Sequence, residues 1–221
     1  MKGRRPWSGR YTDFVQARRD ELCFGSWGLG FLLAVRRIET HPDIVTVWDA
    51  FPRLFAGEWR PEAAVAWVFL IAGVGLRVWA AGNLEKNRFD RPAGPYRLVR
   101  HPLYLGTLLI SLAFFLTIGL PATGLLLWGL LLGTVFIPVL RKEERELTRW
   151  FPGSYERYRG AVRALVPHLL AFPAAIEADR FTLDRARRNF GLRSLWFLAL
   201  IPLLNLMLTA LIWYRWRWTG G

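Results

Sequence analysis

The sequence is poor in the residues that build covalent and metal frameworks. Cys23 is its single cysteine, which excludes a disulfide framework, a CxxC redox pair and a thiolate cluster. The three histidines, His41, His101 and His168, lie far apart and form no HExxH or HxxxH pair, so no metal is expected. Gly25, Gly28 and Gly30 sit in an apolar segment with no acidic residue after them, so there is no Gly-rich dinucleotide loop. The stretch MKGRRPWSGRYTDFVQARRDELC lacks an apolar core followed by a small-residue cleavage site and reads as a retained, amphipathic membrane-surface segment. Internal repeats and low-complexity linkers are also missing, which argues against a transporter and for a single membrane domain over residues 1 to 221.

Acidic residues are few: 17 Asp and Glu stand against 30 Lys and Arg, a formal charge of +13. Such an excess suits nucleic acid when it lines one exposed element, but here the basic residues fall between long apolar runs. Membrane lipid headgroups are the expected partner, and nucleic acid is not.

What the chain has in quantity is apolar surface. Hydrophobic residues make up 53% of it, 12 residues are Trp, and the mean hydropathy is +0.20. A bilayer-spanning helix needs roughly 20 mostly apolar residues. Ala63 to Ala81, Leu103 to Leu120, Ala122 to Leu140 and Leu195 to Tyr214 meet that need, and the shorter Phe24 to Val35 is a fifth candidate. The expected fold class is therefore all-α, a polytopic bundle of about five transmembrane helices with interfacial helices. Between Leu103 and Leu140 only Gly119 and Pro121 interrupt the run, so the chain should reverse there as a helical hairpin with both ends on one side. If Phe24 to Val35 spans, most of the 30 Lys and Arg fall on that side, which the positive-inside rule makes cytoplasmic.

Three stretches on the basic side hold the polar chemistry. In GPYRLVRHPLYLG, Pro95 and Pro102 break helix on either side of Arg97, Arg100 and His101 and hold the imidazole at the mouth of an apolar helix. In RKEERELTRW, Glu143 and Glu144 would lie roughly 5 to 6 Å beyond Leu140, at headgroup depth, where a carboxylate requires a cationic partner. In FPGSYERYRGAVRALVP, Tyr155 and Tyr158 are three apart and share a helix face, as an amphipathic interfacial helix would place them. Taken singly, a basic helix cap with Tyr96 and Tyr104 as belt residues, a solvated helix end and an amphipathic interfacial helix account for these segments.

Their order carries more. Gly94, Tyr96, Arg100, His101, Pro102 and Tyr104, then a hairpin, then Glu143, Glu144, Leu147, Phe151, Tyr155, Tyr158, Val162 and Pro167 form a pattern that resembles the isoprenylcysteine carboxyl methyltransferase and phospholipid N-methyltransferase group of integral membrane enzymes. The chain departs from it at Pro152, where the group commonly has Gly, and at Arg163-Ala164, where it often has Pro-Arg. The resemblance covers residues 94 to 167 and implies a catalytic core there; residues 168 to 221 are then an extension, in which the apolar run Leu195 to Tyr214 is one more expected transmembrane helix. It also implies S-adenosylmethionine as methyl donor and a lipophilic carboxylate or amine as acceptor, at a site facing the cytoplasm. Arg100, His101 and Glu144 are then the candidate catalytic residues, and Tyr96, Arg100, His101, Tyr104, Glu143, Glu144, Tyr155 and Tyr158 the candidate donor-binding residues. Two other readings stand beside it: an NADPH-dependent sterol-type reductase of related fold, and a non-catalytic membrane adaptor.

Overall fold

A computed structural model describes residues 61 to 85, 92 to 117, 121 to 189 and 191 to 201, with scattered positions between 25 and 33 and between 203 and 214. Among these residues every regular element is helical. Helix α1, Pro61–Asn83, leads to a one-turn 3-10 segment, Gly94–Arg97; α2 is Pro102–Thr117. Helix α3, Pro121–Leu131, passes through a π turn, Leu132–Phe136, into α4, Ile137–Trp150. Three short helices follow, α5 Ser154–Ala161, α6 Phe172–Glu177 and α7 Leu183–Arg188, and then a 3-10 segment, Gly191–Trp196.

Two helices are long and apolar enough to cross a membrane, Ala64–Asn83 and the continuous Ala122–Trp150. Their outward faces are apolar: Val65, Val68 and Ile71 on the first and Leu125, Leu126 and Leu130 on the second are all exposed. Helix α2 is shorter, at about 24 Å for its described residues, and residues 118 to 120, where the expected turn lies, are outside the description. Six of the twelve residues of Phe24 to Val35 and eight of the twenty of Leu195 to Tyr214 are outside it as well, and the described residues show two span-length helices where about five were expected.

The expected hairpin is present, since the start of α2 and the end of α4 meet through Arg100 and Glu144. The helix also runs without a break from the apolar segment into RKEERELTRW. Its π turn has a local cause: Pro138 carries no N–H and its ring crowds the carbonyl one turn earlier, so the ladder widens and Ile137 donates to Leu132 instead. Phe136, at the end of the turn, is fully buried and meets Tyr104 edge-on at 6.0 Å.

Helices α1 and α2 approach closely because each puts glycine at the crossing. A Cβ on Gly73 would lie 2.7 Å from the Gly106 carbonyl, and one on Gly106 would lie 2.8 Å from that of Gly73. Small residues that let two backbones touch are the usual device where lipid gives no hydrophobic drive to helix pairing. Around this crossing Leu70, Val74, Leu108, Ile110, Phe114 and Phe136 form the core. Trp27 stacks on Phe114 at 5.2 Å and donates to Ser111 Oγ at 3.3 Å, which brings its segment against α2.

Arg77 interrupts the apolar run of α1 and donates to neutral oxygens. Its Nε donates to Ser194 Oγ at 2.7 Å, and its Nη1 to the Leu103 carbonyl and to Thr107 Oγ1. A guanidinium at such a position must find acceptors inside the protein, and these three tie α1 to α2 and to the Gly191–Trp196 turn.

Candidate functional site

The backbone before α2 prepares the site. Pro102 occupies the first position of α2, where its missing N–H costs nothing. Gly94 has φ of +51°, and a Cβ there would lie 2.7 Å from the Asn83 amide, so glycine is required twice over. The chain then reaches Arg100 and His101, whose own N–H groups donate to the Arg163 and Ala164 carbonyls at 2.8 and 3.1 Å. The amphipathic helix expected over Phe151 to Pro167 is only α5; beyond Val162 the chain turns extended and runs alongside the mouth of α2.

Glu144 is the centre of the polar cluster. Its Oε1 receives Arg100 Nε at 3.0 Å and Nη2 at 2.6 Å, with His101 Nε2 at 3.1 Å. A carboxylate only accepts, so the imidazole carries its proton on Nε2. Arg159 Nε lies 3.8 Å from Oε2. The His101 hydrogen bond, helped by the Arg100 guanidinium, holds the Glu144 carboxyl at about 2, against burial that acting alone would raise it. The remaining Arg100 donor, Nη1, reaches the Arg159 carbonyl at 2.7 Å and the Val162 carbonyl, so this side chain clasps α2, α4 and the end of α5 together.

Glu143 points elsewhere, because consecutive residues on a helix are about 100° apart. Tyr104 donates its hydroxyl to Glu143 Oε2 at 2.7 Å and presents its ring edge-on to His101 at 5.7 Å. Tyr155 and Tyr158 are both buried on one face of α5, 6.2 Å apart. The Tyr158 hydroxyl donates to the Tyr96 carbonyl at 2.7 Å, fastening α5 to the Gly94–Arg97 turn. The Tyr96 hydroxyl is buried with no hydrogen-bond partner among the described residues. Burial, with Tyr158 and Glu143 beside it, pushes that hydroxyl well above the usual phenol range, and burial does the same for Tyr155 and Tyr158. All eight residues singled out in the sequence thus fall in one region, as two linked groups: Arg100, His101 and Glu144, and Tyr104 with Glu143 beside the three other tyrosines.

Sequence reasoning passed over the residues that support this region. Asn83, almost fully buried, donates to Asp179 Oδ1 at 2.6 Å and accepts from the Arg180 N–H at 2.7 Å. Trp79 Nε1 also donates to Asp179, at 3.0 Å. The Gly94 N–H donates to the Ala178 carbonyl at 3.3 Å and the His168 N–H to that of Leu98 at 2.9 Å. The last carbonyls of α1 receive Thr182 N–H and Asn189 Nδ2, which is how a helix end without a cap of its own is satisfied. Residues 168 to 189 therefore pack beneath the mouth of α2. A lone Arg77 within an apolar run was a signal available in the sequence; Asn83 and Asp179, on different elements, offered none.

No family model and no solved structure matches the chain. Among curated proteins, Methanethiol S-methyltransferase 2 of Bradyrhizobium diazoefficiens is 43% identical over 76 residues, which are 34% of this chain and 28% of the relative. The chain thus matches under a third of that protein's length. The likeness is to a protein named as a methyltransferase, in keeping with the resemblance carried by the residues of this site.

Proposed function

We propose that the chain is an S-adenosylmethionine-dependent methyltransferase whose donor site is the region around Glu144 and Glu143, at the membrane interface on the basic side. The observation that carries the reading is the convergence of Arg100 and His101 on one Glu144 oxygen, beside Glu143 and four tyrosines, at the polar end of span-length apolar helices. The partial likeness to a named methyltransferase supports it independently.

The residues present suit such a donor. It brings an ammonium, a carboxylate, an adenine and a sulfonium, and so asks for acids, hydrogen-bond donors and aromatic walls. Glu143 and Glu144 are the acids, Arg100 and His101 the cationic and N–H groups, and Tyr96, Tyr104, Tyr155 and Tyr158 the walls. The buried Tyr96 hydroxyl without a partner is a polar atom that a ligand can satisfy. When bound, S-adenosylmethionine supplies a methyl group on a positively charged sulfur for in-line transfer to a nucleophile.

What the chain contributes is alignment and dryness. Arg100 fixes the spacing of α2, α4 and α5, and the tyrosines exclude water from the reacting groups. A carboxylate acceptor needs no base, whereas a thiol or an ammonium must first lose a proton, and His101 is the neighbouring group able to take part in that transfer. The acceptor we propose is an apolar molecule arriving from the membrane, bearing a carboxylate, an amine or, by analogy with the named relative, a thiol. The test is thermal stabilisation of the detergent-purified protein by S-adenosylhomocysteine beside NADPH, then transfer of labelled methyl to methanethiol, a prenylated cysteine and a phospholipid amine. Stabilisation by S-adenosylhomocysteine with transfer to one acceptor is expected. Stabilisation by NADPH alone overturns the reading in favour of a reductase, and a response to neither overturns it in favour of an adaptor.

A further inference from the structure

The turn beneath the site is apolar on its outside. Val166, Leu169, Leu170, Phe172 and Ile176 are between 49% and 87% exposed, with Leu170 the extreme. Val166 precedes the 3-10 turn Leu169–Ala171, and the other four lie in that turn and in helix α6. This stretch is tied down on both sides: the His168 N–H donates to Leu98, Ala171 to His168, and Gly94 to Ala178. Phe172 also meets Trp79 edge-on at 6.2 Å. A fixed segment showing five large exposed apolar side chains within eleven residues is a contact surface, since isolated apolar residues are scattered over ordinary surfaces but clustered ones are not.

Its place in the fold selects the occupant. Asp179 holds the stretch to Trp79 and Asn83, at the end of α1, the level at which that apolar helix gives way to polar chain. Val68 and Ile71 are exposed on the outward side of α1, and the turn joins the same helix through Phe172 on Trp79. Arg180, 3.8 Å from Glu85, and Arg188, 2.7 Å from Asp184, are partly exposed beyond it, and their remaining N–H groups suit anionic headgroups. Irregular backbone is not tolerated against lipid tails deep in the hydrocarbon, which fixes the depth at the interface.

Resting on the membrane placement in the proposed function, we infer that Leu169, Leu170, Phe172 and Ile176 form a wedge that enters the lipid leaflet on the side of the site, with Arg180 and Arg188 at its phosphates. Because His168 is bonded to Leu98, two residues before Arg100, the wedge sets the depth at which the mouth of α2 meets the membrane.

The test uses the full chain with Cys23→Ser as background, in nanodiscs of equal parts phosphatidylcholine and phosphatidylglycerol. A spin label is placed by Leu170→Cys, with Leu126→Cys as the lipid-facing reference and Arg157→Cys as the aqueous one. Collision with oxygen and with a water-soluble nickel chelate gives an accessibility ratio for each label. The expected ratio at position 170 lies well above that at 157 and toward that at 126, and it drops in phosphatidylcholine alone. A ratio equal to that at 157 overturns the wedge, and so does shielding from both reagents with spin coupling between chains, which assigns the surface to a second copy. S-adenosylhomocysteine stabilisation measured on the same samples separates the two readings: a lipid-facing label without stabilisation sinks the enzyme and keeps the wedge, and an aqueous label with stabilisation does the reverse.

Discussion

Replacing Glu144 by Gln tests the centre of the site through acid as well as through mutation. The carboxyl stands at about 2 in the folded chain against an ordinary 4.5, a difference equivalent to about 3 kcal/mol, which solvent screening reduces to about 2 kcal/mol. Because the folded value is depressed, this stabilisation is complete above 4.5 and disappears as the pH falls toward 2. The amide keeps one acceptor for Arg100 and loses the ionic part, so the variant should be less stable by about 2 kcal/mol near neutrality. For a chain of this size that is a drop in Tm of about 4 to 8 °C. The gap between the two proteins should shrink in acid, to roughly 40% of its neutral value at about pH 3, and close near pH 2. Thermal unfolding of both proteins in detergent, followed across that range, is the assay. A gap of the same size at neutral pH and at pH 3 would refute the reasoning, because the difference would then have nothing to do with the charge on this carboxyl.

Three further outcomes are expected. Tyr96→Phe removes a buried hydroxyl that has no partner among the described residues, so stability should hold or rise by up to about 1 kcal/mol, while affinity for S-adenosylhomocysteine falls; calorimetric titration and thermal unfolding together check this. Gly73→Ala forces a methyl to 2.7 Å from the Gly106 carbonyl and should cost about 1 to 3 kcal/mol, read as a lower Tm. In alkali, Tyr96, Tyr155 and Tyr158 resist ionisation in the folded chain because they are buried, so the stability they contribute is whole below about pH 10 and is lost as the pH climbs beyond it. Tyr158→Phe, which keeps the ring and drops the bond to the Tyr96 carbonyl, should flatten that alkaline loss.

Much of the region was readable because its logic is local. Proline before an apolar run fixes where α2 starts, and the short break near Pro121 sends the chain back, so Arg100, His101 and Glu144 had to share one end. The spacing of Tyr155 and Tyr158 gave their common face. Which glutamate meets which partner was not readable: a turn of about 100° sends Glu144 to Arg100 and Glu143 to Tyr104, and nothing in a run of two identical letters orders them. The dual role of Arg100 was hidden for another reason, since its Nη1 bonds go to backbone carbonyls, and backbone groups carry no sequence signature. Asn83 with Asp179 and Arg77 with Ser194 join residues separated by 96 and 117 positions. Pairings of that range depend on how helices cross, which in turn depended on Gly73 and Gly106.

The bonds from residues 168 to 189 to the base of the site also impose an order in time. Asn83 waits for Arg180, 97 residues downstream, before its carbonyl oxygen is satisfied, and the Gly94 N–H waits for Ala178. At a synthesis rate of about 5 to 20 residues per second, the end of α1 stands without these bonds for about 5 to 20 s. During that interval the Gly94–Arg97 turn lacks its anchor, although every residue proposed to touch the donor has been made before the wait ends. A nascent chain stalled short of Ala178 would therefore hold every residue proposed for the site while the turn that carries Tyr96 lacked its bond to Ala178.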